Sequence, residues 1–414
     1  MNNQEVNKLV DRLFRTEYGK MVSYLTTKFG LYFLENAQDV AQETLEVAYQ
    51  NWSYKGIPEN PEAWIFVVAK NKAINIVKKD KKKSFMNIDQ LIKEADAPDS
   101  NINLDKEVDD SMLRMIFACC STRLSTKNQI ILILSTLGGF SRREIAQALF
   151  EEEESIKKSL YRSKKKIRET QLVLNIPEGT NLKPKLHIVA NALYILFNEG
   201  YNSSSNKELI RKDICLEAMR LCKLLIAHFP DEAMIHALFA LMCFHVARFD
   251  SRIDHQGAIV LFKDQDRTLW NKELIQAGIV HLSSASKGQS LSSYHIEAGI
   301  ALEHCTAGSY ENTNWRLIHQ LYGQLYAFKP SPIIKLNLAI VNSRILGVNH
   351  AIDELEELKA EDQKLKKYYL LYATLGEFYK IKNLKEKAQV NFEMAKKLTS
   401  SLQEQQLLDT KMGA

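Results

Sequence analysis

Glycine and proline are scarce in this chain, with 16 Gly and 8 Pro among its 414 residues. Together they make up about 6% of the sequence, against roughly 12% in average usage. Because turns and helix breaks rely on these two residue types, an all-β sandwich or propeller is disfavoured and an all-α fold is predicted. The apolar fraction of 45% is typical of a packed protein, and the length fits two or three domains.

The cysteine spacing and the apolar stretches of the chain indicate which kinds of site and which cellular location to expect. Six cysteines are too few for a disulfide framework, and none forms a CxxC pair that would support a zinc site. We expect reduced, mostly buried thiols, no metal and no cofactor. The N-terminus lacks the apolar core of a signal peptide, and the longest apolar stretch, Ala233 to Ala247, is too short to span a bilayer. A cytoplasmic protein without membrane contact is predicted.

Four zones of different composition follow one another. Residues 1–85 have a helical pattern that ends in lysines 81 to 83, and residues 112–172 form a second helical unit with its own basic run. Residues 86–111 between them are acidic and weakly apolar, which predicts a flexible linker. Residues 180–414 are nearly continuous amphipathic helix with short turns.

The last zone carries a repeat. Small and large apolar residues recur at the spacings of the tetratricopeptide pattern, a pair of helices in which small residues let the helices approach closely. The clearest copy holds Tyr372, Leu375, Gly376, Tyr379, Ala388, Phe392 and Ala395. Two degenerate copies hold Leu338, Ala339, Ala351, Leu355 and Leu358, and Ala218, Cys222, Leu225, Pro230, Phe239, Ala240 and Cys243. They predict a stacked array of helical hairpins, with a generic helical bundle as the alternative.

The second basic zone has the layout of a helix-turn-helix. Ser141 and Glu144 form a capping box that opens a short helix, and a turn of four glutamates follows. Ser155 is then expected to cap a longer helix that buries Ile156, Leu160 and Ile167 and carries seven cations and no acid between residues 157 and 168. Such a pair can place its second helix in the major groove of DNA. A solvated basic helix face is the alternative.

The first basic zone begins at Asn60-Pro-Glu-Ala-Trp64, where Pro61 fits the first turn of a helix. Seven lysines and one acid occupy residues 70 to 83, and Trp64, Val67, Val68, Ile74 and Val77 are the apolar members of the helix. Lysines beside aromatic residues suit single-stranded nucleic acid, although the aromatics serve equally well as core residues. Upstream, Asp39 and Glu43 share one helix face with Gln42, which indicates an acidic docking surface.

These motifs together resemble the extracytoplasmic-function class of bacterial RNA polymerase sigma factors. Asp39-Val-Ala-Gln-Glu-Thr44 resembles region 2.2, the segment from Asn60 to Lys79 resembles regions 2.3 and 2.4, and Leu137-Gly-Gly-Phe-Ser-Arg-Arg-Glu-Ile-Ala146 with Lys157 to Arg168 resembles region 4. Asn75 stands where the family usually has Asp, and Glu152 replaces a Pro common in the turn. One subgroup carries a long C-terminal extension with tetratricopeptide-like repeats, and Asp264-Gln-Asp-Arg267 is one of the motifs that resemble it.

The resemblance implies two small sigma domains followed by a helical array, and it implies partners: the clamp of the largest polymerase subunit, the flap of the second-largest subunit, and promoter DNA. The residues implied for core polymerase are Asp39, Gln42, Glu43 and Thr44. Those implied for the −10 element are Tyr54, Lys55, Asn60, Trp64, Lys70, Asn71, Lys72, Asn75, Lys78 and Lys79. Those implied for the −35 element are Arg142, Arg143, Ser155, Lys157, Lys158, Arg162, Lys164 and Lys165.

In this interpretation the protein is not an enzyme, and its C-terminal array regulates the sigma core in cis or binds a protein regulator. Asp264, Asp266 and Arg267 form a candidate functional triplet, with a loop salt bridge before Trp270 as the alternative. Two other classes stay open: a helix-turn-helix regulator with a ligand- or protein-binding helical domain, and a helical scaffold with solvated basic zones. The first needs no polymerase-binding face, and the second has no salt-dependent affinity for DNA.

Overall fold

A computed structural model describes residues 3–80, 104–121, 123–149, 151–169, 176, 182–202, 210–288 and 290–413. These residues form eighteen α-helices joined by turns and short 3-10 segments, with no β-strand among them, so the all-α prediction is confirmed. Lysines 81 to 83, Phe150 and residues 86–103 of the predicted linker lie outside the described residues. In chain order the helices are α1 (Asn3–Phe29), α2 (Leu34–Lys55), α3 (Pro61–Asp80), α4 (Leu104–Cys119), α5 (Thr126–Thr136), α6 (Arg142–Ala148), α7 (Glu153–Glu169), α8 (Leu182–Tyr201), α9 (Lys212–His228), α10 (Ala233–Val246), α11 (Lys272–Ala285), α12 (Ser293–Thr306), α13 (Trp315–Phe328), α14 (Pro332–Ile345), α15 (Val348–Glu361), α16 (Tyr369–Ile381), α17 (Lys385–Leu398) and α18 (Leu402–Gly413).

The helices divide into two compact units at places that the sequence does not mark. The first unit consists of residues 1–200 with 211–225, and the second consists of residues 201–210 with 226–414. Both basic zones, which the sequence assigns to separate domains, therefore lie in one unit. Helices α8 and α9 join them because their apolar residues are buried there, including Leu186, Phe197 and Cys215.

The predicted linker is shorter than the composition indicates. Helix α4 begins at Leu104, and Val108 and Ser111 within it are buried. Three of its acidic residues form ion pairs: Glu107 with Lys28, Asp110 with Arg114 at 2.6 Å, and Asp109 with Arg220 at 2.8 Å. A segment with few apolar residues can thus pack when the few it has fall on one helix face.

Two of the three repeat copies form packed helical hairpins in the second unit. Helices α16 and α17 hold the clearest copy, and α14 and α15 hold the next. Their buried residues belong to one core, in which Ala351, Leu355, Leu375 and Ala395 are fully enclosed. A Cβ atom on Gly376 would lie 2.6 Å from the ring of Phe392, so the α16–α17 crossing requires a glycine.

The third copy is divided between the two units, so the prediction of a third hairpin is wrong. Cys222 and Leu225 on α9 belong to the first unit, whereas Phe239 and Cys243 on α10 belong to the second. Helix α10 packs against α11 and α12 instead. By length and hydropathy, the stretch Ala233–Ser251 alone among the described residues could cross a membrane, but 83% of it is buried, as in a core helix.

Candidate nucleic-acid interface

Helix α2 presents a polar strip to solvent. Asp39, Gln42 and Glu43 are exposed on it, and Glu43 pairs with Lys72 of α3 at 2.8 Å. Thr44 is fully buried, and its hydroxyl donates a 2.7 Å hydrogen bond to the carbonyl of Val40. The prediction that Thr44 belongs to the exposed docking face is therefore wrong, because its side chain faces the core.

Helix α3 begins as the sequence predicts. The side chain of Asn60 accepts a 2.9 Å hydrogen bond from the backbone N–H of Ala63, and Pro61 is the first helical residue. Of the residues implied for the −10 element, Lys55, Asn71, Asn75, Lys78 and Lys79 are exposed, and Lys70 and Lys72 are half-buried. This face of the first unit is thus rich in lysine and accessible.

The aromatic residues near α3 separate into two groups. Trp52 is buried and its ring centroid lies 5.4 Å from that of the half-buried Trp64, so both help to build the core. Tyr54, in contrast, is 92% exposed at the end of α2 and is free to stack on a base. Val67, one of the apolar residues of α3, is 58% exposed and lies outside the core.

The second basic zone folds as a supporting helix, a short helix and a longer basic helix. Ser141 accepts a 3.3 Å hydrogen bond from the backbone N–H of Glu144, and Glu144 accepts one at 2.8 Å from the backbone N–H of Ser141. The capping box is therefore confirmed. Helix α7 begins at Glu153, so Ser155 lies inside its first turn and is not the predicted cap. Two glutamates in the first turn suit the positive end of the helix dipole.

Some cations of α6 and α7 form ion pairs, and others do not. Lys157 pairs with Glu154 at 3.3 Å and Lys165 pairs with Glu169 at 3.9 Å, both at exposed positions of the same helix. Four exposed cations form no ion pair with any residue that the structure describes: Arg142, Arg143, Lys158 and Arg162. These four are the side chains most available for phosphate.

Two further cations of α7 contact the start of α2. The Lys164 ammonium donates a 2.5 Å hydrogen bond to Gln38, and Arg168 pairs with Glu35 at 2.8 Å. Burial lowers the pKa of Lys164, and Arg142 lowers it further, while the charges of Glu35 and Asp39 act in the opposite direction. The structure therefore brings a residue implied for −35 DNA next to one implied for core polymerase.

Close backbone packing supports this contact. A Cβ atom on Gly19 of α1 would lie 2.2 Å from the carbonyl oxygen of Leu137, so α1 touches the turn that precedes α6. Gly139 in the same turn has a φ of 62° and lies against the ring of Tyr18. We call this packing of the α5–α7 helices onto α1 and α2 the closed arrangement.

Helix α9 holds the closed arrangement through ion pairs that the sequence does not reveal. Just before α9, Arg211 pairs with Glu144 at 2.5 Å, and within α9 Asp213 pairs with Arg15 of α1 at 2.9 Å. Burial by itself raises the pKa of Glu144, but hydrogen bonds from Ser141 and the charge of Arg211 lower it overall. These pairs join residues more than 60 positions apart, so no local pattern predicts them.

In the second unit, the Asp264–Arg267 motif is part of the framework. Asp266 accepts hydrogen bonds from the backbone N–H and the hydroxyl of Thr268, at 2.8 and 2.7 Å. Arg267 lies over the Trp270 ring and donates to the carbonyls of His304 and Ala307, at 2.9 and 2.7 Å. Arg267 thus connects its 3-10 turn to the end of α12 through carbonyl groups, and Asp264 is exposed beside it. The alternative, a loop salt bridge before Trp270, is not formed among the described residues of this loop.

Sites for metal chemistry are not evident in the described part of the chain. No group of three or more His, Cys, Asp or Glu side chains there is arranged to hold a metal ion. All six cysteines are free and buried, as the sequence predicts, and burial raises the pKa of Cys120 to about 12. A thiol with such a pKa stays protonated and is a poor nucleophile.

Comparisons with known proteins match two parts of the chain. Residues 13–83 match sigma-70 region 2, and residues 185–286 match a family of unknown function (DUF6596). An uncharacterized protein of Rhizobium meliloti (strain 1021) is 31% identical over 346 residues, which cover 83% of this chain and 81% of the relative. No solved structure matches significantly.

Proposed function

Since the chain belongs to the sigma-70 family, we propose that it is a promoter-specificity subunit of bacterial RNA polymerase, of the extracytoplasmic-function class. The match of residues 13–83 to sigma-70 region 2 carries the proposal. The geometry of that segment supports it, because an exposed polar strip on α2 lies beside the lysine-rich helix α3. No covalent chemistry is required of the protein in this role.

The −10 element is assigned to α3 and the loop before it. Lys78 and Lys79 are exposed near the end of the helix, where they can neutralise phosphates. Tyr54 supplies an exposed aromatic surface for an unpaired base. Capturing a base costs a few kcal/mol of unstacking, which such a stacking contact offsets.

The −35 element is assigned to α6 and α7. Arg142, Arg143, Lys158 and Arg162 are exposed cations on these two helices, and phosphate contacts of this kind set the register of a helix in the major groove. The four-glutamate turn then faces away from the DNA, because acids close to the phosphates would repel them.

The closed arrangement gives the proposal a conformational step. Lys164 contacts Gln38 and lies near Asp39, so part of the α2 surface assigned to polymerase is occupied by the helix assigned to −35 DNA. Core polymerase cannot bind this part of α2 while Lys164 and Arg168 of α7 contact it. We therefore propose that α5–α7 leave α2 when the protein binds core polymerase.

The second unit is proposed to regulate this step, in cis or through a regulator, as a tetratricopeptide-like array. Its two packed hairpins support a role beyond promoter contact, because they lie outside the unit that holds both basic zones. Truncation after His228 tests it, because this cut preserves α8 and α9 in the first unit. Unchanged transcription and unchanged polymerase affinity would refute the regulatory role.

The main proposal is tested by transcription in vitro with purified core polymerase over a library of upstream DNA regions. We expect initiation at a defined subset of these regions. Asp39→Lys should abolish both initiation and capture of core polymerase, whereas Asp11→Lys, at an exposed position on α1, should leave both intact. Failure of the wild-type chain to direct initiation would refute the proposal, and DNA binding without polymerase capture would favour a helix-turn-helix regulator.

A further inference from the structure

The second unit contains a cavity of about 580 Å³ that the promoter-binding role does not use. Helices α14, α16 and α18 and the segment 259–263 line it, and it is open to solvent beside the exposed Lys263 and Arg344. Much of its wall is apolar, formed by Ile259, Leu261, Phe262, Ile340, Leu370, Ala373, Phe378, Ile381, Leu407 and Leu408. Cavities of 300–1,000 Å³ with apolar walls and a few polar groups are typical of small-molecule sites.

The acidic and basic side chains at this cavity differ in whether a neighbouring residue neutralises them. Glu377 forms an ion pair with Lys411, so these two charges compensate each other. Glu404 accepts hydrogen bonds from the hydroxyls of Tyr369 and Thr399, so its oxygens are already engaged within the wall. The acidic side chains of the cavity are therefore occupied by neighbours in the protein.

The cations Lys263 and Arg344 form no close ion pair, although the charge of Arg344 interacts with that of the exposed Glu311 at longer range. Within the described part of the chain, no carboxylate lies within 4 Å of the charged nitrogens of either side chain. Arg252, a third cation of the wall, lies 3.8 Å from the Tyr201 ring centroid and donates to the Tyr201 carbonyl at 2.6 Å. The cavity thus combines an apolar surface with a net positive charge.

Two aromatic rings position the guanidinium of Arg344, which keeps N–H donors available for a ligand. Its guanidinium lies 4.8 Å from the centroid of the Tyr310 ring and 5.8 Å from that of Trp315, and it donates one hydrogen bond, at 2.7 Å, to the Tyr310 hydroxyl. A guanidinium has five N–H donors in a planar fork that matches a carboxylate, sulfonate or phosphate. Stacking on two rings fixes this fork and so reduces the entropy lost when an anion binds.

We propose that this cavity binds a small organic anion. The apolar part of the ligand lies against α14 and α16 near Ala373, and its acidic group is held by Arg344 and Lys263. The size of the cavity favours a small molecule over a folded partner, and the excess of cations excludes an organic cation. The inference gives a ligand class to the regulatory role proposed for this unit, but binding itself can be tested without polymerase.

The test is a fluorescence titration of the full chain with two matched probes. 8-Anilinonaphthalene-1-sulfonate carries an anionic group, and N-phenyl-1-naphthylamine is its uncharged analogue. We expect one site per chain for the anionic probe and at least tenfold weaker binding of the neutral one. Arg344→Gln should weaken the anionic probe about tenfold and leave the neutral probe nearly unchanged. Ala373→Trp, which fills the cavity, should remove both.

Arg316→Gln is the matched control, because Arg316 is an exposed arginine of the same unit that does not line the cavity. Circular dichroism and melting temperature establish that each variant is folded. Equal affinity for the two probes in the wild type would overturn the inference, as would an anionic affinity that neither Arg344→Gln nor Ala373→Trp changes. Displacement of the anionic probe by an octaglutamate peptide, but not by 1-naphthoate, would overturn it in favour of an acidic peptide.

Discussion

Removing the charge of Arg211 should loosen the closed arrangement and increase the affinity for core polymerase. Arg211 pairs with Glu144 at 2.5 Å, and its side chain is only 10% exposed. Arg211→Met keeps much of the apolar stem and removes the guanidinium, which pairs with Glu144 and lies 5.9 Å from the centroid of the Phe140 ring. Arg211 belongs to neither of the surfaces assigned to polymerase and DNA, so the variant reports on the packing alone.

The size of the effect follows from the burial of the pair. Hydrogen bonds to charged groups contribute about 1.5–3 kcal/mol when they are shielded from water. The capping box still satisfies Glu144 after the substitution, so the lower half of that range, about 1.5–2 kcal/mol, is expected. If the closed form predominates, the apparent affinity rises by the same factor as the open fraction, which is roughly 10- to 30-fold.

The same substitution should destabilise the first unit. A loss of about 1.5–2 kcal/mol lowers the melting temperature of a unit of this size by roughly 3–8 °C. Because the pKa of Glu144 is lowered in the fold, the contribution of the pair is present above the ordinary carboxyl pKa and is lost only as pH falls through the lowered value. The difference between variant and wild type should therefore be constant between pH 6 and pH 8.

Titration of labelled core polymerase against each variant measures the effect. Lys127→Met is the matched control, because it removes an ion pair with Glu151 at 2.5 Å that lies wholly within the α5–α7 helices. The control should leave polymerase affinity unchanged. A lower melting temperature in Arg211→Met without tighter binding of polymerase would refute the role of the closed arrangement.

Three further predictions concern single positions. Gly376→Val should destabilise the second unit by about 1–3 kcal/mol in urea unfolding, because the valine side chain would clash with the Phe392 ring. Gly323→Ala is the control: its Cβ atom would lie in open space on a helix, so this substitution should be neutral or stabilise the unit by up to about 1 kcal/mol. Arg162→Gln should reduce the slope of log K against log salt for promoter DNA by about 1 without changing polymerase capture. Burial and neighbouring arginines lower the pKa of His304 to about 4. The stability of the fold should therefore decrease as pH falls from about 6.5 to 4, and His304→Gln should make the melting temperature less dependent on pH in this range.

The helical fold and the local structure of both basic zones can be predicted from the order of residues. The capping box of Ser141 and Glu144 and the start of α3 at Pro61 depend on residues within one turn of each other. The burial of Ile156, Leu160 and Ile167 follows from their spacing on a single helix. Such features are set by bonds and contacts between near neighbours, so they can be predicted from the order of residues.

Which surfaces of those helices are accessible depends on how the helices pack against one another. Val67 is apolar and exposed, and Thr44 is polar and buried, because exposure depends on which helices pack against α2 and α3. The repeat pattern fits α9 and α10 as a pair, yet α9 belongs to the first unit, where Cys215 is buried and its thiol donates to the Phe197 carbonyl of α8. A spacing rule describes one helix and does not specify its partner.

For the same reason, the sequence pattern predicts neither the closed arrangement nor the cavity. Lys164 and Gln38 are 126 positions apart, and the residues around the cavity are drawn from segments between positions 202 and 411. Charge runs and small residues indicate that such elements can bind or approach one another. Which of them meet is fixed by the packing of whole helices, since burial of apolar faces outweighs the weak preferences of individual charges.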